Sequence, residues 1–424
     1  MAEIKISRQA KLITLLLSMV YFASYLMRKN FSVMLAAIVA SGYEEVALGI
    51  VGSAMTISYG AGQVINGILG DKIKPQYMLT CGLFLAAGCN VAMSFCASIP
   101  LMAAIWFVNG FAHAMLWPPI VRLMAMYMND TEYGYAAVRI SAASSIATIV
   151  LYLLAPVLLR AIDWNNVILC IAVAGLVIAV AWVLLNPRLL TKEGVLQDKV
   201  KAKKEEKGEE TAHPRLPAMV WLPVVLIFLG IVLQGALRDG VGDWMPTFMA
   251  DTFSLDPESA IITGVVPAIF SIASFVLFDL LHRKLFKNEV TCAAVIFVGA
   301  VACAALLLVL NLFASGVLAG ILSALLIGLL VACMHGINLM LITVVPKRFI
   351  KSGKVSTFSG VLNAATYVGA AVGLPLFAAL KTNVNWSVTI AVWVGISALG
   401  AAVCFLAAPI WRRFRKEYAD NPEV

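Results

Sequence analysis

Two arginines lie where an arginine is costly. Arg28 is the 17th residue of the apolar stretch 12–40, and Arg238 is the 21st of the stretch 218–250. In a bilayer-crossing helix, a charge at that depth costs about 2.5–3.5 kcal/mol on an insertion scale. Such a residue is expected to face a water-filled cavity or a partner. Two guanidinium forks, each with parallel N–H donors, suit a planar or tetrahedral oxyanion. Internal pairing is the alternative, for instance Arg238 with Asp239 or Lys29 with Asp243. Each arginine sits in the first stretch of one half of the chain. That placement suggests two repeats contributing one arginine each to a shared cavity.

Tyr21, Tyr25 and Arg28 follow i, i+4, i+7 and share a helix face. Tyr59 and Gln63 share a face of the second stretch, and Trp117 adjoins Pro118-Pro119 in the fourth. These aromatic and amide groups are candidates to line the same cavity, with core packing as the alternative for each. The eight Cys residues lie in apolar segments with no CxxC pair, and the four His residues show no ligand spacing. No metal or cofactor is therefore expected. An intramembrane enzyme would want a nucleophile–base set or a metal cluster, and neither constellation is present.

The elements that position these residues are set by lipid. The 424 residues are 62% hydrophobic and 13% charged, with a mean hydropathy of +0.93. A soluble domain carries about 25% charged residues. Twelve apolar runs are read at 12–40, 47–69, 76–97, 99–128, 133–160, 164–186, 218–250, 259–282, 289–313, 315–345, 353–380 and 385–411. Most exceed the roughly 20 residues a helix needs to cross a bilayer. Lipid offers backbone groups no partners, so the runs must be helices or a closed barrel. They are continuous rather than alternating, which excludes the barrel. The expected fold is an all-α membrane protein of about twelve transmembrane helices in two pseudo-symmetric six-helix bundles, 1–186 and 218–424. A polar linker, 187–217, joins them and is expected to be solvated and partly disordered.

Charge sets the orientation. Only Arg160 and Lys381 fall on one side, while Lys5, Arg8, Lys72, Lys74, the linker cations and Arg412 to Lys416 fall on the other. Basic loops stay in the cytoplasm, so both termini and the linker are expected inside. The net charge of +8 is then mostly topology, and no nucleic-acid partner is expected. The first stretch is read as an uncleaved span rather than a signal peptide, because Arg28-Lys29-Asn30 interrupts it. A multi-pass protein of the inner (plasma) membrane, expected to act as a monomer, completes this reading.

Gly67-Ile68-Leu69-Gly70-Asp71-Lys72 resembles the G-x3-D-[RK] loop motif of the major facilitator superfamily. The resemblance implies that Asp71 caps a helix end and pairs with a basic neighbour as the cytoplasmic gate closes. The equivalent in the second half, Asp279 to Lys284, is degenerate. Tyr21-x3-Tyr25-Leu26-Met27-Arg28-Lys29-Asn30-Phe31 and Leu237-Arg238-x4-Asp243-Trp244-x-Pro246-Thr247 are similar to two signatures of one branch, the organophosphate:phosphate antiporters. Trp117-Pro118-Pro119-x2-Arg122 and Pro346-Lys347 resemble further parts of that branch. A twelve-helix rocker-switch fold is implied, with the two arginines binding a phosphoryl group. The branch often has Lys where this chain has Gln63, and His at about Ser144. Those departures leave a less charged phosphate ester, a carboxylate or a sulfonate open. His113 and His335 are alternative donors, or packing histidines.

Three readings follow: a transporter of small organic anions, a membrane sensor of the same fold, and an enzyme. The first is favoured, with exchange of two anions as its mechanism. An empty site would force two cations together on closure, and a bound anion would turn that repulsion into attraction. Asp239 would weaken this if it neutralised Arg238, but neighbours project about 100° apart on a helix. The topology is directly testable by thiol labelling of intact cells. Cysteines introduced at Glu44 and Lys381 are expected to react with an impermeant reagent, and one introduced at Lys204 is not. The reverse pattern contradicts the charge reading.

Overall fold

A computed structural model describes residues 6–191, 216–255 and 263–421. Among these residues no strand occurs, and twelve helices are long and apolar enough to cross a membrane. In chain order, spans 1 to 6 are Arg8–Val33, Ala47–Lys72, Pro75–Ser94, Ile99–Tyr127, Asp130–Leu159 and Trp164–Leu189. Spans 7 to 12 are Ala218–Phe253, Val265–Lys284, Glu289–Phe313, Val317–Phe349, Val355–Asn383 and Trp386–Ala419. Of the polar segment 187–217, residues 192–215 lie outside the described residues, and span 6 runs on to Leu189.

The chain divides into two compact units. One is Met1–Pro214 with Phe349–Val361, and the other is Arg215–Arg348 with Leu362–Val424. In the first unit span 3 packs on spans 4 and 6, span 2 on span 4, and span 1 on spans 5 and 6. In the second, span 9 packs on spans 10 and 12, span 8 on span 10, and span 7 on span 12. Adding six to the span numbers turns the pairs 3–4, 3–6, 2–4 and 1–6 into 9–10, 9–12, 8–10 and 7–12. The pairing pattern is thus repeated, as inverted or parallel repeats in transporters require.

Local sequence explains the breaks. Span 4 is two helices, Ile99–Ala114 and Trp117–Tyr127, and the second carries Pro118 and Pro119 in its first turn. A proline lacks the N–H that a preceding turn would use, so it starts a helix more readily than it continues one. Span 10 widens into a π-helical turn over Leu339–Val344 before tightening around Pro346. In the first unit Asn30 donates to Asn90 at 2.7 Å, and Asn90 donates to Asn109 at 3.4 Å. All three are fully buried. This ladder ties spans 1, 3 and 4 by hydrogen bonds where apolar contact gains nothing over lipid.

Glycines let two helices of the second unit approach closely. A Cβ on Gly373 would stand 2.8 Å from the Ala236 Cα, and one on Gly235 would strike the Thr366 backbone. Small residues on facing helices are the usual device for backbone contact in lipid. Gly373→Val is expected to destabilise the protein by about 1–3 kcal/mol through overpacking. A lowered thermal midpoint in detergent checks this, with Gly395→Val, whose position is open, as the neutral control.

Candidate functional site

In the first unit the sequence stripe of span 1 becomes an aromatic cradle. The Arg28 guanidinium lies 3.9 Å from the Tyr59 ring centre and 5.5 Å from that of Tyr25. Tyr21 meets the Tyr25 ring edge-on at 5.0 Å and the Trp117 ring at 4.8 Å. The candidates Tyr21, Tyr25, Arg28, Tyr59 and Trp117 are therefore one contiguous cluster. Tyr59 and Trp117 are buried, while Tyr21, Tyr25 and Arg28 are half-buried. A desolvated cation over an aromatic face gains about 2 kcal/mol, which offsets part of the cost of its depth.

Gln63 lies one turn along from Tyr59 and is fully buried, and among the described residues neither of its amide atoms has a hydrogen-bond partner. Asn66, less than one turn further on, is in the same condition, as is the Trp117 indole nitrogen. An unsatisfied buried polar group costs about 1–3 kcal/mol. The Gln63 and Asn66 amides lie one and two turns along span 2 from Tyr59, whose ring Arg28 covers, and an unsatisfied amide is able to donate to and accept from a polar ligand. Asn66 was not singled out from sequence. The signal was present, since Tyr59, Gln63 and Asn66 follow i, i+4, i+7 on an apolar span. His113 is buried with its Nδ1 3.0 Å from the Ser24 hydroxyl, and its Nε2 has no hydrogen-bond partner among the described residues. His335 packs edge-on against Phe275. Ser144 spends its hydroxyl on the Ser141 carbonyl at 2.6 Å, within its own helix.

In the second unit Arg238 makes a two-pronged ion pair with its neighbour. Nε donates to Asp239 Oδ1 at 2.7 Å and Nη2 donates to Oδ2 at 2.9 Å. The expectation that a 100° separation would keep these two apart is corrected. That angle applies to the Cα–Cβ directions, and a long arginine chain bends back across it. Lys29 and Asp243 are exposed side chains on spans 1 and 7. Trp244, next to Asp243, donates to the Leu374 carbonyl at 3.2 Å.

The loop motif forms a helix cap. Asp71 Oδ1 accepts from the Ser356 amide at 2.8 Å, and Oδ2 accepts from the Thr357 amide at 2.9 Å. These amides belong to the first turn of span 11, where backbone donors lack helical partners and the helix dipole favours a negative charge. Close approach is needed, and a Cβ on Gly67 would stand 2.9 Å from the Ser356 carbonyl oxygen. Arg122 closes the other end of the motif by donating to the carbonyls of Gly70 and Ile73, the latter at 3.0 Å. Lys72 is exposed. In the second half, Arg283 pairs with Asp279 one turn earlier on the same helix.

A family model described as Major Facilitator Superfamily matches residues 17–358. The glycerol-3-phosphate transporter of Bacillus subtilis (strain 168) is 29% identical over 308 residues, covering 69% of each chain. The phosphoglycerate transporter protein of Salmonella typhimurium is 24% identical over 398 residues, covering 86% of this chain and 82% of that one. The membrane sensor protein UhpC of Escherichia coli (strain K12) is 23% identical over 273 residues, covering 60% of each. Among solved structures, a variant of the E. coli fucose:proton symporter FucP superposes with a TM-score of 0.64. It is 13% identical and covers 95% of this chain and 99% of that one, a likeness of fold alone.

The cap makes a measurable contribution. Asp71→Ala is expected to cost about 1–2 kcal/mol, the usual worth of a side-chain helix cap. Asp71→Asn, which keeps an acceptor, is expected to lose less. Equal thermal midpoints for the wild type and Asp71→Ala in detergent would show that the contact adds nothing.

Proposed function

The chain belongs to the Major Facilitator Superfamily, and from that premise we propose that it carries a small phosphate ester across the membrane by alternating access, in exchange for phosphate or another anion. The observation that carries the reading is the pair of arginines far along spans 1 and 7, one per unit, Arg28 against tyrosine rings and Arg238 against Asp239. Phosphate-ester transporters among its relatives support the substrate class. Arg28 and Arg238 would take the phosphoryl oxygens. Tyr59, Gln63, Asn66 and Trp117 would orient the rest of the ester. Gln63 is neutral, so this site would exert a weaker pull on a dianion than one with Lys there. The monoanionic form of an ester, or a smaller ester, fits such a site.

Exchange follows from charge. Bringing two arginines toward one another in a low-dielectric space is costly, and a bound anion removes that cost. The substrate then favours the occluded state, which is what lowers the barrier to rocking. The empty carrier returns slowly.

One observation favours a second reading, proton-linked or uniport movement of the anion. Asp239 already occupies the Arg238 fork at 2.7 and 2.9 Å. An arriving phosphoryl group has to displace that carboxylate or neutralise it with a proton. Displacement leaves the carboxylate to pair with Arg238 again in the empty carrier, which weakens the arginine–arginine repulsion and permits uniport. Protonation couples transport to a proton gradient.

Proteoliposomes separate these outcomes. With labelled glycerol 3-phosphate outside, exchange predicts uptake only into phosphate-loaded vesicles, at a rate indifferent to an inward proton gradient. Uptake into empty vesicles, stimulated by that gradient in the wild type but not in Asp239→Asn, establishes the second reading. Absence of uptake under every condition, for glycerol 3-phosphate, hexose phosphate and phosphoglycerate alike, overturns the proposal.

A further inference from the structure

At the far end of the second unit, where span 12 ends and span 9 begins, a cavity of about 610 Å³ is walled by Lys287, Arg412, Arg415 and Lys416, with Asp420 and Thr291. Two of its charged walls are already balanced. Arg415 donates to Glu289 at 2.7 Å and to the Lys287 carbonyl at 2.6 Å, and Asp420 accepts from Arg415 at 2.9 Å and from Arg348 at 3.1 Å. Glu289 is fully buried and also accepts from Arg348 at 2.9 Å, so this network is a rigid floor. Lys287, Arg412 and Lys416 are exposed and have no ion pair among the described residues. The nearby Arg413, by contrast, is matched by Glu417 at 2.7 Å. The Thr291 hydroxyl is buried at the same wall without a hydrogen-bond partner among the described residues. Three unmatched cations and a spare hydroxyl around one cavity are the chemistry of a phosphate site.

The cavity also has an apolar approach. Leu285, on its rim, is 70% exposed, and Phe405 is 48% exposed. Phe405, Arg412 and Lys416 stand at i, i+7 and i+11 along span 12, so they lie on one stripe of the helix. Phe405 is about 10 Å from Arg412 along the axis, toward the hydrocarbon. A soluble phosphate would use the cations and leave this stripe idle. A phospholipid would use both, with its phosphate at Arg412 and Lys416 and an acyl chain along Phe405. Basic pockets at the ends of membrane helices are suited to anionic headgroups. We propose that this cavity binds the phosphate headgroup of an anionic phospholipid, and that the bound lipid bridges the ends of spans 8, 9 and 12. None of its residues belongs to the proposed transport site.

Native mass spectrometry of the full chain in detergent tests this, with added phosphatidylglycerol, phosphatidylethanolamine or inorganic phosphate. The wild type is expected to retain phosphatidylglycerol in preference to phosphatidylethanolamine, and inorganic phosphate is not expected to displace it. The triple variant Lys287→Gln, Arg412→Gln, Lys416→Gln should bind phosphatidylglycerol about 100-fold more weakly, given about fivefold per surface cation. Arg413→Gln should bind it normally. All four positions are exposed, so the variants are expected to fold, which the intact mass of the folded charge state verifies. Displacement by millimolar phosphate would identify a soluble-anion site and overturn the lipid assignment. Equal retention of phosphatidylethanolamine, or an equal loss in Arg413→Gln, would overturn it as well.

Discussion

A guanidinium held at membrane depth is the constraint on which the rest of this protein depends. Its cost of a few kcal/mol has to be met by groups brought from elsewhere in the sequence. The two units meet it differently. Around Arg28 part of the compensation is aromatic, a Tyr59 face at 3.9 Å with Tyr25 at 5.5 Å. Around Arg238 it is ionic, the Asp239 carboxylate at 2.7 and 2.9 Å. A ring quadrupole is a weak counter-charge and a carboxylate a full one. In the proposed function the substrate competes with the Asp239 carboxylate for the Arg238 fork. Under that proposal the coupling mode depends on whether Asp239 stays paired with Arg238.

The repeated pairing of spans and the glycine contacts serve the same end. Lipid supplies no hydrophobic drive for helices to associate, so the units rely on close backbone approach and on buried hydrogen bonds such as Asn30–Asn90–Asn109. The Asp71 cap adds an ionic latch on the first turn of span 11, a helix that begins in one unit and continues in the other. A carboxylate bonded to two amides is a contact that can form and break without leaving a covalent or packing defect. That suits the alternating access proposed above.

Much of this was legible in the sequence because lipid imposes simple rules. Continuous apolar length placed the twelve spans, and the i, i+4, i+7 spacing of Tyr21, Tyr25 and Arg28 placed them on one face. The Tyr59–Gln63 pair was read but not continued to Asn66, although the same spacing reaches it. Other features were hidden for physical reasons. Whether Arg238 bends back to Asp239 depends on side-chain rotamers, which helix geometry does not determine. The Glu289 network joins partners 59 and 126 residues away in the chain, and no local spacing signals such contacts. The first-turn amides that Asp71 caps lie 285 and 286 residues on. Only a family resemblance, not the residues themselves, suggested a cap.

The central claim is that Arg28 and Arg238 bind the phosphoryl group through their planar forks. Calorimetric titration of the purified protein with glycerol 3-phosphate tests it most directly, in the wild type, Arg28→Lys and Arg238→Lys. Lysine keeps the charge but loses the two-pronged geometry. Each substitution is predicted to weaken binding by about 2–5 kcal/mol, with thermal midpoints close to the wild type. Affinities near the wild-type value in both variants would contradict the account and leave the arginines as structural charges.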